Sequence, residues 1–354
     1  MKRVIIISSN VMLPGGTERA ISNTINLLHG EDVEIEVMSL SSSDADTPYF
    51  DINAPIHNIG LPPLEVSILR KIRWYYLAVK KVNNFFKIYR TPDYIFGYGH
   101  NVSIMLPFIN AGNCKRYACE HINYLSIPRS SRILMRAIYP FLNGVIALSK
   151  TAKDKLVKLN RFIEIIPNSI SFPPIPHLVE KTKTIIMVGR ISAEKGYERL
   201  VPIAKVLKAN FTDWHIEIWG DGPDYEKIKE LYHNEAIDDY VLLKGATKNI
   251  QKVYQDASIL IMTSYTEALP MVIIEAKANG VPTVAYECEG TSELIVNGVD
   301  GKVIKNNDYH AFYNAMAEIM SDSEIYRRYA NNALINSSEF SNLTIKNKWL
   351  NFLK

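Results

Sequence analysis

Cysteine is scarce in this sequence: three in 354 residues, Cys114, Cys119 and Cys288, an odd count without zinc-type pairing. A chain of this length has no need of covalent staples, so the scarcity argues against a disulfide scaffold and for a reducing compartment, the cytoplasm. Long apolar runs are missing too. No stretch approaches the roughly 18–20 apolar residues that cross a bilayer, so any membrane contact is peripheral. The opening MKRVIIISSN breaks into Ser8, Ser9 and Asn10 too soon for a secretory signal and reads as a first strand. His-Glu-x-x-His, Cys-x-x-Cys and histidine clusters are all absent, so no metal is expected. The net charge of +3 comes without a recognisable binding module, which argues against nucleic acid.

What is present is apolar material for two cores, 47% hydrophobic against 22% charged residues. Short β-rich runs recur, each followed by a helix-like segment: Val4 to Ile7, Val33 to Met38, Tyr94 to Phe96 and Val145 to Leu148, then Ile185 to Val188, Ile216 to Trp219, Val241 to Leu243 and Ile259 to Met262. That alternation predicts parallel sheets with helices on both faces. Between the two groups lies IPNSISFPPIPHLVEKTK, whose Pro167, Pro173, Pro174 and Pro176 fit neither a helix interior nor a central strand. The expected fold is therefore α/β: two Rossmann-like, doubly wound domains, 1–170 and 171–337, with a C-terminal helix at about 338–354 that packs back on the first. Such sheets bind ligands at the carboxyl ends of their strands, so an inter-domain cleft is the expected site. The halves differ in charge: residues 1–175 carry 20 Lys and Arg against 13 Asp and Glu, hence +7, and the remainder 20 against 24, hence −4.

Chemically suggestive residues gather after the strands. In TSYTEALPMVIIEAKANGVPTVAY, Glu267 and Glu275 stand eight residues apart around Pro270, a residue suited to a first helical turn. Carboxylates there can accept from the vicinal hydroxyls of a ribose and a hexose, and a helix start offers N–H groups to phosphate. In VGRISAEKGYERL, Arg190 and Lys195 flank a turn and can clamp a diphosphate or form surface ion pairs. After the first strand, NVMLPGGTER carries Gly15 and Gly16, which let backbone approach a ligand but fit neither G-x-G-x-x-G nor a Walker A loop. Glu120 and His121 end the strand-like KRYACEH, and His121 is either a structural hydrogen-bonding residue or a site residue. Asp44 and Asp46, in SSSDADTP, copy a metal-binding Asp-x-Asp, but their Ser-rich setting reads as a hydrated turn.

The segment around Glu267 and Glu275 resembles the E-x7-E region of retaining GT-B glycosyltransferases, family 4, bacterial surface-polysaccharide type, and the resemblance runs over nearly the whole chain. It implies that Glu267 contacts the donor sugar and Glu275 the ribose, with Leu269 and Met271 lining the donor. Ala268 departs from the family's glycine at that position. The segment VGRISAEKG is similar to the family's phosphate-binding G-R-x4-K-G, which implies that role for Arg190 and Lys195. Gly15 and Gly16 match its glycine loop, His121 its sugar-orienting histidine, Gly220, Asp221 and Gly222 its loop near the base, and Glu293 its phosphate-side glutamate; Asn168 matches a hinge-side motif. Glu18 and Arg19 read as helix-start structure. Implied are a nucleotide-sugar donor, read as UDP-linked from the surface-polysaccharide likeness, a glycan or lipid-linked glycan acceptor, net retention, and no cofactor or metal. A GT-B-like sugar-nucleotide epimerase and a non-catalytic partner in a polysaccharide assembly complex stay open as alternatives.

One segment stands apart. Residues 70–90, RKIRWYYLAVKKVNNFFKIYR, hold seven Lys and Arg and no acid among many aromatics. That composition suits a helix lying on an anionic membrane, and equally a core-packing helix with a basic outer face. The basic stretch at 129–136, with Arg129, Arg132 and Arg136, favours the membrane.

Overall fold

A computed structural model of the chain describes every residue except positions 66, 176, 177 and 179–181; Pro176 thus lies outside the described residues. The chain forms two compact units, Met1–Ser169 completed by Ile345–Lys354, and Ile170–Thr344.

The first unit is built on seven parallel strands: β1 (Lys2–Ser8), β2 (Val33–Ser39), β3 (Ile56–Asn58), β4 (Tyr94–Tyr98), β5 (Lys115–Glu120), β6 (Gly144–Ala147) and β7 (Ile163–Ile165). Their order is β3-β2-β1-β4-β5-β6-β7, so the direction of winding reverses between β1 and β4. The β-branched run of β1 favours extended backbone, and strand alternation sends its side chains to opposite faces. Ile5 and Ile7 join Trp74, Ala78, Val82 and Phe86 of the helix Ile68–Ile88 in one core layer. Val4 and Ile6 join Ile21, Ile25 and Leu28 of the helix Gly16–Leu28 in the other.

The second layer is completed from the far end of the chain. Ile345, Trp349 and Leu353 recur at the spacing of four that lines one helix face, and all three are buried there. The Trp349 ring meets Phe96 edge-on at 5.4 Å, and Lys346 pairs with Glu31 at 2.8 Å. The helix Asn342–Phe352 begins in the second unit and enters the first from Ile345 onward.

The second unit holds six parallel strands: β8 (Thr184–Val188), β9 (His215–Trp219), β10 (Val241–Gly245), β11 (Ile259–Met262), β12 (Thr283–Tyr286) and β13 (Gly301–Ile304). The order β10-β9-β8-β11-β12-β13 places its reversal between β8 and β11. Ile185, Met187, Ile216, Ile218, Ile259 and Ile261 form the core under the helices Leu200–Asn210 and Tyr309–Ser321. Both sheets are covered on both faces, which is why their strands read as continuous apolar runs.

The helix Ile68–Ile88 resolves the two readings of the basic aromatic segment in part. Its Trp74, Ala78, Val82 and Phe86 are core residues, so those aromatics pack rather than face outward, while Leu69, Ile72 and Tyr76 point to solvent. In the helix Arg129–Ile138, Met135 is buried and Ile133 and Leu134 are exposed. Among the described residues, no helix is long and apolar enough to cross a membrane.

Because Trp349 fills the layer against Phe96, Trp349→Ala should cost about 3–5 kcal/mol, the usual range for removing a buried aromatic. The measurement is urea unfolding followed by a probe in the first unit. An unmoved transition there would show that the C-terminal residues do not complete that core.

Candidate active site

In the second unit, the reversal of strand order leaves the turns after β8 and β11 side by side at the carboxyl edge of the sheet, where doubly wound folds bind ligands. Backbone contacts lock these turns together. Gly196 adopts the left-handed region at φ 62°, and a Cβ there would stand 2.5 Å from the Thr263 carbonyl oxygen. Only glycine tolerates both conditions. The Thr263 hydroxyl donates to the Gly196 carbonyl at 2.7 Å, and the Tyr265 N–H donates to the Glu194 carbonyl at 2.9 Å. The Tyr197 hydroxyl closes the first turn on the Gly189 carbonyl at 2.9 Å.

From this double turn, Lys195 Nζ donates to Glu267 Oε1 at 2.6 Å, and Ser264 Oγ donates to the same oxygen at 2.9 Å. The two charged side chains are 26% and 12% exposed, so the pair is shielded yet reachable. Both bonds fall on Oε1; among the described residues Oε2 accepts none, which leaves one carboxylate oxygen for a ligand hydroxyl. Arg190 stands on the same turn as Lys195 and is exposed.

Two further turns border the pair. A Cβ on Gly220 would lie 1.9 Å from the Gly189 carbonyl oxygen, so glycine there serves the contact between the turns after β8 and β9. The Ile191 N–H donates to the Asp221 carbonyl at 2.9 Å, and Gly222 packs on Ile191. After β12, the Gly290 N–H donates to the Glu267 carbonyl at 3.2 Å, which brings in the short helix Glu289–Leu294 with Glu293 on its exposed side.

Other expected residues stand deeper. Leu269 and Met271 are buried. Glu275, in the helix Met271–Ala278, is 0% exposed; Ser171 Oγ donates to Oε1 at 2.8 Å and the Tyr254 hydroxyl to Oε2 at 3.0 Å. The structure thus brings Lys195 and Glu267 into contact, sets Arg190 on their turn, and places Glu275 behind the surface, bonded to two hydroxyls.

In the first unit, the reversal between β1 and β4 is followed by the helix Gly16–Leu28. Gly15 is its N-cap, with the Glu18 carboxylate lying over it, and no side chain caps the start; Gly16 is exposed. Burial raises the Glu18 carboxyl above its ordinary value, against the pull of a backbone hydrogen bond. His121 follows β5 and stacks on Tyr98 at 5.0 Å and 19°. Desolvation pushes its imidazole down to about 4, so it is neutral at pH 7, not a cation. Its neighbour Glu120 is buried and pushed up to about 7 by desolvation, against hydrogen bonds from Tyr139 and Ser103; among the described residues its Oε2 has no partner.

Asp44 and Asp46 are occupied by their own loop: Asp44 accepts from Asn58 at 2.9 Å, and Asp46 from the Ser43 N–H at 2.8 Å. Among the described residues, no three His, Cys, Asp or Glu gather as a metal site. Cys114, Cys119 and Cys288 are free thiols.

The sequence profile of the glycosyl transferases group 1 matches residues 171–335, the span that holds the double turn and its neighbours. The chain carries a group 1 glycosyltransferase domain on a GT-B fold. An uncharacterized glycosyltransferase of Haemophilus influenzae is 25% identical across the full length of both chains. The amylovoran biosynthesis glycosyltransferase AmsD of Erwinia amylovora is 22% identical, again over all of both. In fold, the chain matches a Staphylococcus aureus TarM mutant solved with fondaparinux, alpha-GlcNAc-glycerol and UDP, with TM-score 0.82, 14% identity and full coverage of both chains.

Several residues that bond to Glu267 and Glu275 escape a reading of the sequence. Ser264 had a faint signal, a hydroxyl three residues before Glu267 at a strand end. Tyr254 and Ser171 had none, since they reach Glu275 from 21 and 104 residues away.

Glu120 yields a pH prediction. Its folded-state pKa of about 7 exceeds the usual 4.5, so the stability it contributes is full at low pH and is lost as pH rises through about 7. The melting temperature of Glu120→Gln, relative to wild type, should therefore climb between about pH 5 and 8. Parallel curves would mean that Glu120 titrates as an ordinary carboxyl.

Proposed function

We propose that this glycosyltransferase is a retaining enzyme that moves a hexose or N-acetylhexosamine from a UDP-linked donor to a lipid-linked or polysaccharide acceptor in bacterial O-antigen, capsule or exopolysaccharide synthesis. The observation that carries the reading is the Lys195–Glu267 contact at the strand-order reversal, 2.6 Å between a cation suited to phosphate and a carboxylate suited to sugar hydroxyls. AmsD's part in amylovoran biosynthesis and the UDP bound by TarM support the product class and the donor base.

In this reading, Arg190 and Lys195 hold the donor diphosphate and take up the charge that builds on it, the part a divalent metal plays elsewhere. Glu267 Oε2 accepts from the transferred sugar. Glu275 serves the ribose, whose hydroxyl replaces that of Ser171. Gly220 to Gly222, Leu269, Met271 and Glu293 frame the donor. Gly15, Gly16 and His121 of the first unit take part in the same reaction, with neutral His121 as a hydrogen-bonding partner of the sugar. The acceptor hydroxyl attacks the anomeric carbon from the side the diphosphate leaves. Its oxygen–carbon bond forms as the carbon–phosphate-oxygen bond breaks, and its proton passes to the departing phosphate oxygen. The enzyme works in the cytoplasm, with exposed Leu69, Ile72, Ile133 and Leu134 beside Arg70, Arg73, Arg129 and Arg136 resting on an anionic membrane.

The test is UDP release from UDP-glucose, UDP-galactose and their N-acetyl forms, after a thermal-shift screen, since a ligand of the folded state raises the melting temperature. Lys195→Ala should lose turnover by about 100-fold or more while UDP binding falls much less. Unchanged turnover would reject the clamp. Conversion of donor alone into a different sugar nucleotide would mark an epimerase instead.

A further inference from the structure

Arg199 follows Gly196 and is only 8% exposed, yet among the described residues it has no carboxylate partner. Its Nη1 donates to the Thr263 carbonyl at 2.6 Å and reaches the Ser264 carbonyl at 3.4 Å. Its Nη2 donates to Asn306 Oδ1 at 2.8 Å, and Asn306 Nδ2 in turn donates to the Glu287 carbonyl at 2.7 Å. The guanidinium also lies over the rings of Tyr286, at 3.9 Å, and Tyr265, at 4.5 Å. Aromatic faces and aligned carbonyls can hold a cation without neutralising it.

Stability alone gives a weak reason for this arrangement, because an apolar side chain of similar volume would fill the space without the cost of desolvating a charge. Location gives a stronger one. Thr263 receives Arg199 on its carbonyl and grips Gly196, the residue after Lys195, through its hydroxyl. Ser264 receives Arg199 on its carbonyl and holds Glu267 Oε1 through its own hydroxyl. Both members of the ion pair are therefore seated on the two residues that this one fork grips, and the Asn306 arm extends the grip to the turn after β12.

We propose that Arg199 is a positioning residue of the transfer site: its planar fork fixes the Thr263–Ser264 backbone and thereby sets Lys195 and Glu267 in register for the donor. This inference rests on the transferase reading above. It predicts that charge without the fork is insufficient, since a small misplacement of reacting groups lowers turnover far more than binding.

Arg199→Lys keeps the charge and loses the fork. Against the donor that wild type uses best, its kcat per folded molecule should fall about tenfold or more, while the Kd for UDP stays within about threefold. Unchanged kcat overturns the proposal. Should Arg199→Lys fail to fold, Asn306→Ala decides, because that exposed side chain anchors one arm of the fork. Its kcat should drop about threefold or more at an unchanged melting temperature, and wild-type kcat would again overturn the proposal. Wild type and Lys195→Ala run alongside separate the two claims. A wild type that releases no UDP from any donor refutes the transferase reading, whereas an active wild type, a crippled Lys195→Ala and fully active Arg199 and Asn306 variants refute this inference alone.

Discussion

A lysine and a glutamate that neutralise each other at a strand-order reversal are the constraint around which the second unit is arranged. Lys195 and Glu267 are separated by 72 residues of chain and by 2.6 Å of space. A half-shielded cation or carboxylate alone would be costly, and the contact offsets both costs. The ammonium carries three donors and Glu267 spends one oxygen on its bonds, so the pair keeps capacity for further hydrogen bonds without first being taken apart.

The backbone makes that contact possible. Parallel strands bring β8 and β11 together although they are far apart in sequence, and Gly196 lets their turns touch. Gly220 presses a third turn on the first, and Gly290 ties a fourth to the Glu267 carbonyl. Rigidity comes from carbonyl and hydroxyl bonds between turns, the kind of support that keeps side chains at a sheet edge in place. The first unit repeats the plan with different chemistry: an uncapped helix start at Gly16, and a neutral histidine steadied by Tyr98.

Much of this was legible in the sequence, and the reasons it was or was not are physical. Buried parallel strands need apolar β-branched runs, so the eight runs read from Val4 onward each coincide with a strand. The strands Ile56–Asn58, Ile163–Ile165, Thr283–Tyr286 and Gly301–Ile304 are short and interrupted or opened by His57, Glu164, Thr283 and Lys302, so they give no such run. The turn-borne residues Lys195 and Glu267 could be named because their flanking segments resemble known glycosyltransferase motifs; charge at a turn alone reads as readily as a surface ion pair. Glu275 shows the limit: its position in the helix follows from spacing, but its enclosure by Tyr254 and Ser171 depends on folding. Arg199 is the same case: nothing in VGRISAEKGYERL singles it out, because its partners lie 64 and 107 residues on. For residues 70–90 the composition fits two readings equally, and only the burial of Trp74, Ala78, Val82 and Phe86 shows how much of the helix belongs to the core.

The central claim is that the Lys195–Glu267 contact marks the donor diphosphate and sugar positions. A crystal structure of the protein soaked with UDP tests it most directly. The account predicts the β-phosphate within hydrogen-bonding distance of Lys195 Nζ, with the nucleotide lying along the turns after β8 and β11. UDP seated elsewhere in the second unit, with the Lys195–Glu267 pair untouched, would contradict it.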